Sequence, residues 1–467
     1  MNFSRIEVSV LEKIRPLPEE IAHVGRVAEQ LIAMVSSGGK AEGMLVGSVA
    51  RNTFIRGDRD LDIFMLFDPE ISREELEFEG LGLAKEIAEK FGAEYREKYA
   101  EHPYINARID GLDVDLVPCY RVASAAGIQS AVDRTPFHTR YIVDRIGPFA
   151  DDVLLLKQFA KGGGVYGSDQ MTEGFAGYLC ELLVLHYGGF HPLIEAAASW
   201  RPGTVIDILG HGAKEFEEPL VVVDPVDPNR NVSASLSLNR MCEFIELARG
   251  YLEHPSPAFF YPPKEVIISR EEVREHLKVR GTFLYALVFD TPPLIEDIVV
   301  PQLRKSTDAI RALLERQGFL VNRCDCAMEE DLSMILIELL VDTLPAIRRH
   351  EGPPAWTKVN AGKFTEKYRD IRTLDLLAGP FIEDGKYIVE VSRSYPNARD
   401  LLKSHLVLDV GLGKHVKQSM EEFWELKEAE ECWMEPFSLF ITRFIQKESP
   451  LMRIRRSEPP GGFPDLG

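Results

Sequence analysis

Between residues 17 and 36 the apolar positions Ile21, Val24, Val27, Leu31 and Met34 fall three or four apart, the stripe of a helix that buries one face. Ser36-Ser37-Gly38-Gly39 stops that helix. The spacing then shortens, predicting a strand at 44–46, a short helix at 50–55 and a buried strand at 60–67. A helix is expected over about 72–91. Alternation at 93–100, 104–109 and 111–117 predicts three more strands, and this strand-rich unit ends near residue 145.

From about 150 to 255 the period turns helical, at 153–161, 174–186 and 238–251. Pro255, Pro257, Pro262 and Pro263 mark the next boundary. Beyond it the pattern reads strand 282–289, helix 301–317, strand 319–323 and strand 332–340. That β-α-β-β order is similar to RNA-recognition folds, although its strands lack the aromatic signature of a base-stacking module. Residues 352–420, with Pro353-Pro354 and mixed charge, read as an appended helical piece. The final S-E-P-P-G-G-F-P-D-L-G is expected to be disordered. The expected organisation is therefore α/β (α+β): a unit at 1–148, a helical central domain at 149–258, a β-α-β-β domain at 259–350, a tail at 351–455 and the end at 456–467. No internal repeat is present.

A length of 467 residues agrees with two to four domains, and 45% hydrophobic with 27% charged residues is a globular composition. Six scattered cysteines without a C-x-x-C pair predict reduced thiols and a cytosolic setting. The N-terminus lacks the apolar core of a signal peptide. The most apolar runs, 176–187 and 332–344, are broken by Glu181 and by Glu338 and Asp342, which leaves no membrane span. The net charge of −20 argues against a nucleic-acid partner only at long range, because one groove can differ from the mean. Basic clusters such as Arg304/Lys305, Arg348/Arg349 and Arg453/Arg455/Arg456 read individually as solvated faces.

The chemistry concentrates in V-G-S-V-A-R-N-T-F-I-R-G-D-R-D-L-D, residues 46–62. Strand side chains alternate, so Asp60 and Asp62 share one face while Leu61 and Ile63 point into a core. Paired carboxylates repel each other unless divalent metal ions neutralise them. A solvent-facing edge strand is the plainer reading, but it fits poorly beside the apolar run 63–67. The Gly-Ser turn offers N–H groups and a hydroxyl at a helix start, a seat for phosphate. In the strictly alternating G-L-D-V-D-L-V at 111–117, Asp113 and Asp115 also share a face. On a strand pairing with 60–67, one of them meets Asp60 and Asp62. Three carboxylates can hold two Mg²⁺ ions ~4 Å apart, with the third as natural general base. Gly162-Gly163-Gly164-Val165-Tyr166-Gly167 satisfies a dinucleotide fingerprint, but a helix end precedes it rather than a strand, so these glycines are expected to terminate a helix.

The G-S-x11-D-x-D pattern with a third Asp resembles the nucleotidyltransferase superfamily of DNA polymerase β. The blocks at 47–53, 99–104, 113–120, 130–138, 155–167, 174–183 and 224–232 resemble, in order, the class I, archaeal-type CCA-adding enzymes. The resemblance implies a polymerase β-like palm, a helical central domain and an RNA-recognition-like domain with a helical tail. It implies catalytic and metal-holding roles for Asp60, Asp62 and Asp115, with Asp113 ranked second. It implies nucleotide binding by Ser48, Arg51, Thr135, His138, Lys157, Tyr166 and Arg230, the last reading the incoming base. Mg²⁺, CTP, ATP, the tRNA acceptor stem and 3′ end, a homodimer and a cytoplasmic location are implied with it. Arg51 and Lys157 also suit a triphosphate on charge alone. For His102 a structural role and a place facing the tRNA end both stay open. The implied function is template-independent addition and repair of the terminal CCA. A poly(A) polymerase or oligoadenylate synthetase is the alternative.

Overall fold

The computed structural model describes residues 3–99, 101–329, 331–369 and 375–457. The chain forms two compact units, one of residues up to 264 joined by the segment from 448, the other of residues 265–447.

In the first unit, α1 (Arg5–Ile14) and α2 (Pro18–Ser37) precede β1 (Ala41–Val46), the four-residue α3 (Gly47–Ala50) and β2 (Asp60–Phe67). Then come α4 (Arg73–Lys90), β3 (Tyr95–Tyr99), β4 (Pro103–Ile109) and β5 (Leu112–Tyr120). The five strands form one sheet in the order β1-β2-β5-β4-β3, with β2 and β5 parallel and the other neighbours antiparallel. The short helix expected at 50–55 lies earlier, because Asn52 takes a left-handed backbone and closes a turn. Of the strand expected at 93–100, Ala100 lies outside the described residues.

One sheet face packs on α2 and α4. Leu61, Ile63 and Met65 of β2 and Val114 and Leu116 of β5 meet Val27, Leu31, Leu76 and Ile87 there. The other face of β2 changes character along its length, from Asp60 and Asp62 to buried Phe64 and Leu66. A register slip of one residue would expose Leu61 and Ile63, each worth about 1.5–3 kcal/mol of burial. Core packing therefore fixes which way the carboxylates point.

The chain continues through α5 (Thr135–Ile146), α6 (Ala150–Gly162), α7 (Gly177–Tyr187) and α8 (Phe190–Ala197). A small parallel pair, β6 (Thr204–Ile206) and β7 (Leu220–Val222), and α9 (Leu238–Glu253) follow. Phe159 centres their core, ringed by Phe190, Phe244, Tyr251, Phe259 and Phe260. Gly162 ends α6 where a Cβ would lie 2.2 Å from the Phe259 carbonyl oxygen, so close packing accounts for this glycine run.

The second unit opens with α10 (Arg270–Arg280), β8 (Phe283–Asp290), α11 (Glu296–Gln317), β9 (Val321–Glu329) and β10 (Leu332–Leu339). β11 (Ile347–Pro354), α12 (Lys358–Lys367), β12 (Leu376–Glu383), β13 (Lys386–Ser392), α13 (Ala398–Leu402), α14 (Lys414–Glu422), β14 (Trp424–Glu428) and α15 (Ser438–Ile445) follow. The expected β-α-β-β order is present, and β14 joins it to give a four-stranded sheet, β14-β8-β10-β9. The stretch read as helical holds helices and also a three-stranded sheet, β11-β13-β12. Its strands escape pattern reading because R-R-H-E-G-P-P in β11 has no apolar alternation. Finally α16 (Pro450–Ser457) returns to the first unit, where Leu451 and Ile454 enter the helical core. Residues 458–467 of the end expected to be disordered lie outside the described residues.

Glu338, the charge that interrupts the apolar run of β10, is 1% exposed. Arg280 donates to it through Nε and Nη2 at 2.7 and 2.9 Å, and Thr282, Asn322 and Arg323 add further bonds. Burial pushes its carboxyl up, but these donors outweigh that and hold it at about 2, against an ordinary 4.5. A depressed carboxylate stabilises the fold fully above its unfolded pKa and loses that contribution as pH falls towards its folded one. Glu338→Gln should cost on the order of 2 kcal/mol at neutral pH, after discounting for the partly exposed arginines. The deficit should shrink as pH drops from 4.5 towards 2. Urea unfolding followed by tryptophan fluorescence in a Trp200→Phe background reads this unit, which holds Trp356, Trp424 and Trp433.

Candidate active site

The parallel pairing of β2 with β5 sets Asp60 opposite Asp113 and Asp62 opposite Asp115. With Ser48, Arg96, Lys98 and Asn106, these four carboxylates line a cavity of ≈ 440 Å³. Burial raises the carboxyl of Asp60, and repulsion from Asp58, Asp113 and Asp115 adds to it. Burial, then Asp115 and Asp60, push Asp62 up to about 6, with Arg51 pulling the other way. Asp115 is raised by burial and eased by its bond from Asn106 Nδ2, 2.7 Å from Oδ1. Such a cluster attracts positive charge.

The lining supplies carboxylates, an amide and a hydroxyl and contains no thiol or imidazole, the donor chemistry of a hard divalent cation. Among the described residues no three His, Cys, Asp or Glu side chains already stand arranged to hold an ion. The donors fit such an ion in kind.

Gly47 takes φ +72°, and a Cβ there would stand 2.0 Å from Asp62 Oδ2. Asp62 therefore lies against bare backbone at the Gly-Ser turn. Beyond that turn Arg51 and Thr53 run to α7, where Glu181 Oε2 accepts from Arg51 Nη1 at 2.6 Å and Oε1 from Thr53 Oγ1 at 2.6 Å. Arg51 Nη2 lies 3.3 Å from Thr139 Oγ1, while its buried Nε has no partner. Lys157 Nζ donates to the Thr53 carbonyl at 2.8 Å, and burial lowers its pKa. Tyr166 Oη and Lys157 Nζ converge on Gly177, where a Cβ would lie 3.2 and 3.6 Å from them.

Thr135 opens α5 one turn before His138 and Thr139, on a shared face. His138 stacks on Tyr178 with ring centroids 4.3 Å apart. The fully buried Asp224 gathers this side: His138 Nε2 lies 2.8 Å from Oδ2, Arg230 Nη1 also 2.8 Å, and Tyr178 Oη 3.2 Å from Oδ1. Burial opposes its ionisation, but His138, Arg230 and the Val226 N–H hold it at about 2. An ionised carboxylate only accepts, so His138 carries its proton on Nε2. Burial lowers the His138 pKa, and the bond to Asp224 pulls the other way.

Of the residues expected in the site, Ser48, Asp60, Asp62 and Asp115 share the cavity lining. Arg51, Thr135, His138, Lys157, Tyr166 and Arg230 belong to the adjoining group on α3–α7 and the 224–230 loop. His102 lines neither. It is 2% exposed, sits edge-on to Tyr120, and neither ring nitrogen makes a hydrogen bond, although Nδ1 stands 3.5 Å from Glu77. Sequence reading missed the anchoring carboxylates. In the sequence Glu181 stands only as a charge inside an apolar run, and Asp224 as the first residue of the 224–232 block.

The nucleotidyltransferase domain family matches residues 26–138, the second domain of tRNA nucleotidyltransferase 151–261, and the C-terminal domain of CCA-adding enzyme 280–429. A CCA-adding enzyme of Methanoregula boonei is 58% identical over 447 residues, covering 96% of each chain. One of Methanosarcina barkeri is 45% identical, covering 91% of this chain and 93% of the relative. The chain belongs to the CCA-adding enzyme family.

Within that family of nucleotidyltransferases, the contact between Gly47 and Asp62 is a sharp constraint. Gly47→Ala should displace Asp62 by about 1 Å or more and lower nucleotide incorporation about 10²-fold. The positive φ also strains an alanine, so the unfolding temperature should fall by an amount worth about 1–2 kcal/mol. Near-normal incorporation by Gly47→Ala would show that the Asp62 position is not critical.

Proposed function

We propose that this chain adds C, C and A to the 3′ end of tRNA from CTP and ATP, without a nucleic-acid template, and repairs damaged ends in the same way. The pairing of Asp60 and Asp62 with Asp113 and Asp115 across β2 and β5 is the observation that carries the reading. The RNA 3′-oxygen attacks the α-phosphorus, the bond to the bridging oxygen breaks, and pyrophosphate leaves. Two Mg²⁺ ions held by Asp60, Asp62 and Asp115 would activate the hydroxyl and offset phosphate charge. Asp115, beside the metal that would lower the hydroxyl's pKa, would take the hydroxyl proton. Ser48, Arg51 and Lys157 bind the triphosphate, and Thr135, His138 and Tyr166 orient the nucleotide.

Arg230 presents the rest of its guanidinium to the base while Asp224 fixes one edge. In this scheme residues 1–148 carry the chemistry, while 149–258, 259–350 and the tail to 455 hold the acceptor stem by shape and phosphate contacts. The absence, among described residues, of a helix long and apolar enough to cross a membrane and the free cysteines support a cytoplasmic location. The family resemblance supports a homodimer, which light scattering reads directly.

The test supplies purified protein with a tRNA lacking CCA, Mg²⁺ and each labelled nucleotide singly and together. Incorporation should stop after two C and one A, and Asp62→Asn should lower it at least about 10³-fold. ATP-only tailing would favour a poly(A) polymerase or oligoadenylate synthetase, and no incorporation would refute both readings.

Asp224→Asn should loosen Arg230 and raise misincorporation of UTP or GTP about tenfold, the worth of one charged hydrogen bond. Competition assays with mixed nucleotides measure this, and unchanged selectivity would remove Asp224 from base reading.

A further inference from the structure

The catalytic cavity has a rim that the proposed chemistry leaves unused. β3 is the outer strand of its sheet, and its side chains divide by face. Tyr95 reaches Glu89 and Glu97 pairs with Lys85, both on α4. Arg96 and Lys98 turn the other way and line the cavity with the carboxylates. Register sets Arg96 opposite Asn106, Asn106 opposite Asp115 and Asp115 opposite Asp62, a single row across four strands. Arg96 Nε donates to Asn106 Oδ1 at 3.2 Å, and Asn106 continues to Asp115. Among the described residues neither Arg96 nor Lys98 has a salt-bridge partner.

Direction follows from the sheet order. Ser48 and Arg51 come directly after β1, one edge of the sheet, and β3 is the other edge with the carboxylates between. In-line displacement puts the attacking oxygen and the leaving pyrophosphate on opposite sides of the α-phosphorus. With the triphosphate on the β1 side, the attacking RNA must arrive from the β3 side. β3 lies two strand spacings, roughly 10 Å, from β5. Cations there are placed beyond the reacting hydroxyl, where the RNA backbone continues.

Resting on the proposed function, we infer that Arg96 and Lys98 seat the phosphodiester backbone of the RNA 3′ end, with Asn106 linking that seat to Asp115. Phosphate contacts position a strand without reading its bases. That suits a primer whose terminal base changes with each addition. The alternative is that both cations serve only to balance the carboxylates or to bind the nucleotide.

The experiment measures binding of a tRNA transcript lacking CCA over a range of salt, with wild type, Arg96→Ala, Lys98→Ala, the double variant and Arg96→Lys. Each lost contact should lower the slope of log affinity against log salt by about 0.7. The KM for tRNA should rise severalfold while the KM for CTP holds, and Arg96→Lys should restore the slope. An unchanged slope in the double variant, or a rise in the KM for CTP alone, would overturn the seat. Failure of the wild type to extend this tRNA with any nucleotide would instead overturn the underlying function.

Discussion

Repulsion among four carboxylates governs this molecule. Asp60 and Asp62 on one strand face Asp113 and Asp115 on its parallel neighbour, and burial raises the cost of charge on Asp60, Asp62 and Asp115. No rearrangement of the sheet relieves it, because Leu61, Ile63, Val114 and Leu116 pin the register from the opposite face. The stability of the core is thus what holds like charges together. Divalent cations at the proposed site would offset the repulsion, and a triphosphate would bring the negative charge that balances them.

The remainder of the site is arranged around that exchange of charge. Its basic half is set in advance by two buried carboxylates. Glu181 aligns Arg51 and Thr53, and Asp224 aligns His138 and Arg230. In the acidic half, Asp115 accepts a hydrogen bond from Asn106. Glu338 uses the same device in the other unit, where a carboxylate buried in a strand collects two arginines, purely to secure the fold.

What could be read from sequence was whatever local periodicity encodes. The alternation of D-L-D-I-F and D-V-D-L-V put the acids on shared faces, and the structure pairs those strands. Arg51 and Lys157 stood out because a triphosphate needs cations. Contacts far apart in the chain were silent: Arg51 and Glu181 are separated by 130 residues, His138 and Asp224 by 86. The β11–β13 sheet was missed because β11 is charged and ends in two prolines, leaving its apolar partners β12 and β13 without a readable neighbour. β14 was missed because W-E-L-K-E gains its meaning only beside β8. Asn106 and Arg96 became visible only when register placed them in line with Asp115.

The central claim is that the carboxylates of β2 and β5 hold the divalent ions of the reaction. Mn²⁺ binding followed by electron paramagnetic resonance, with a non-hydrolysable CTP analogue present, tests it most directly. The wild type should bind Mn²⁺ in a nucleotide-dependent manner. Asp62→Asn should lose that binding while the analogue still associates through Arg51 and Lys157. Undiminished Mn²⁺ binding by Asp62→Asn would contradict the account.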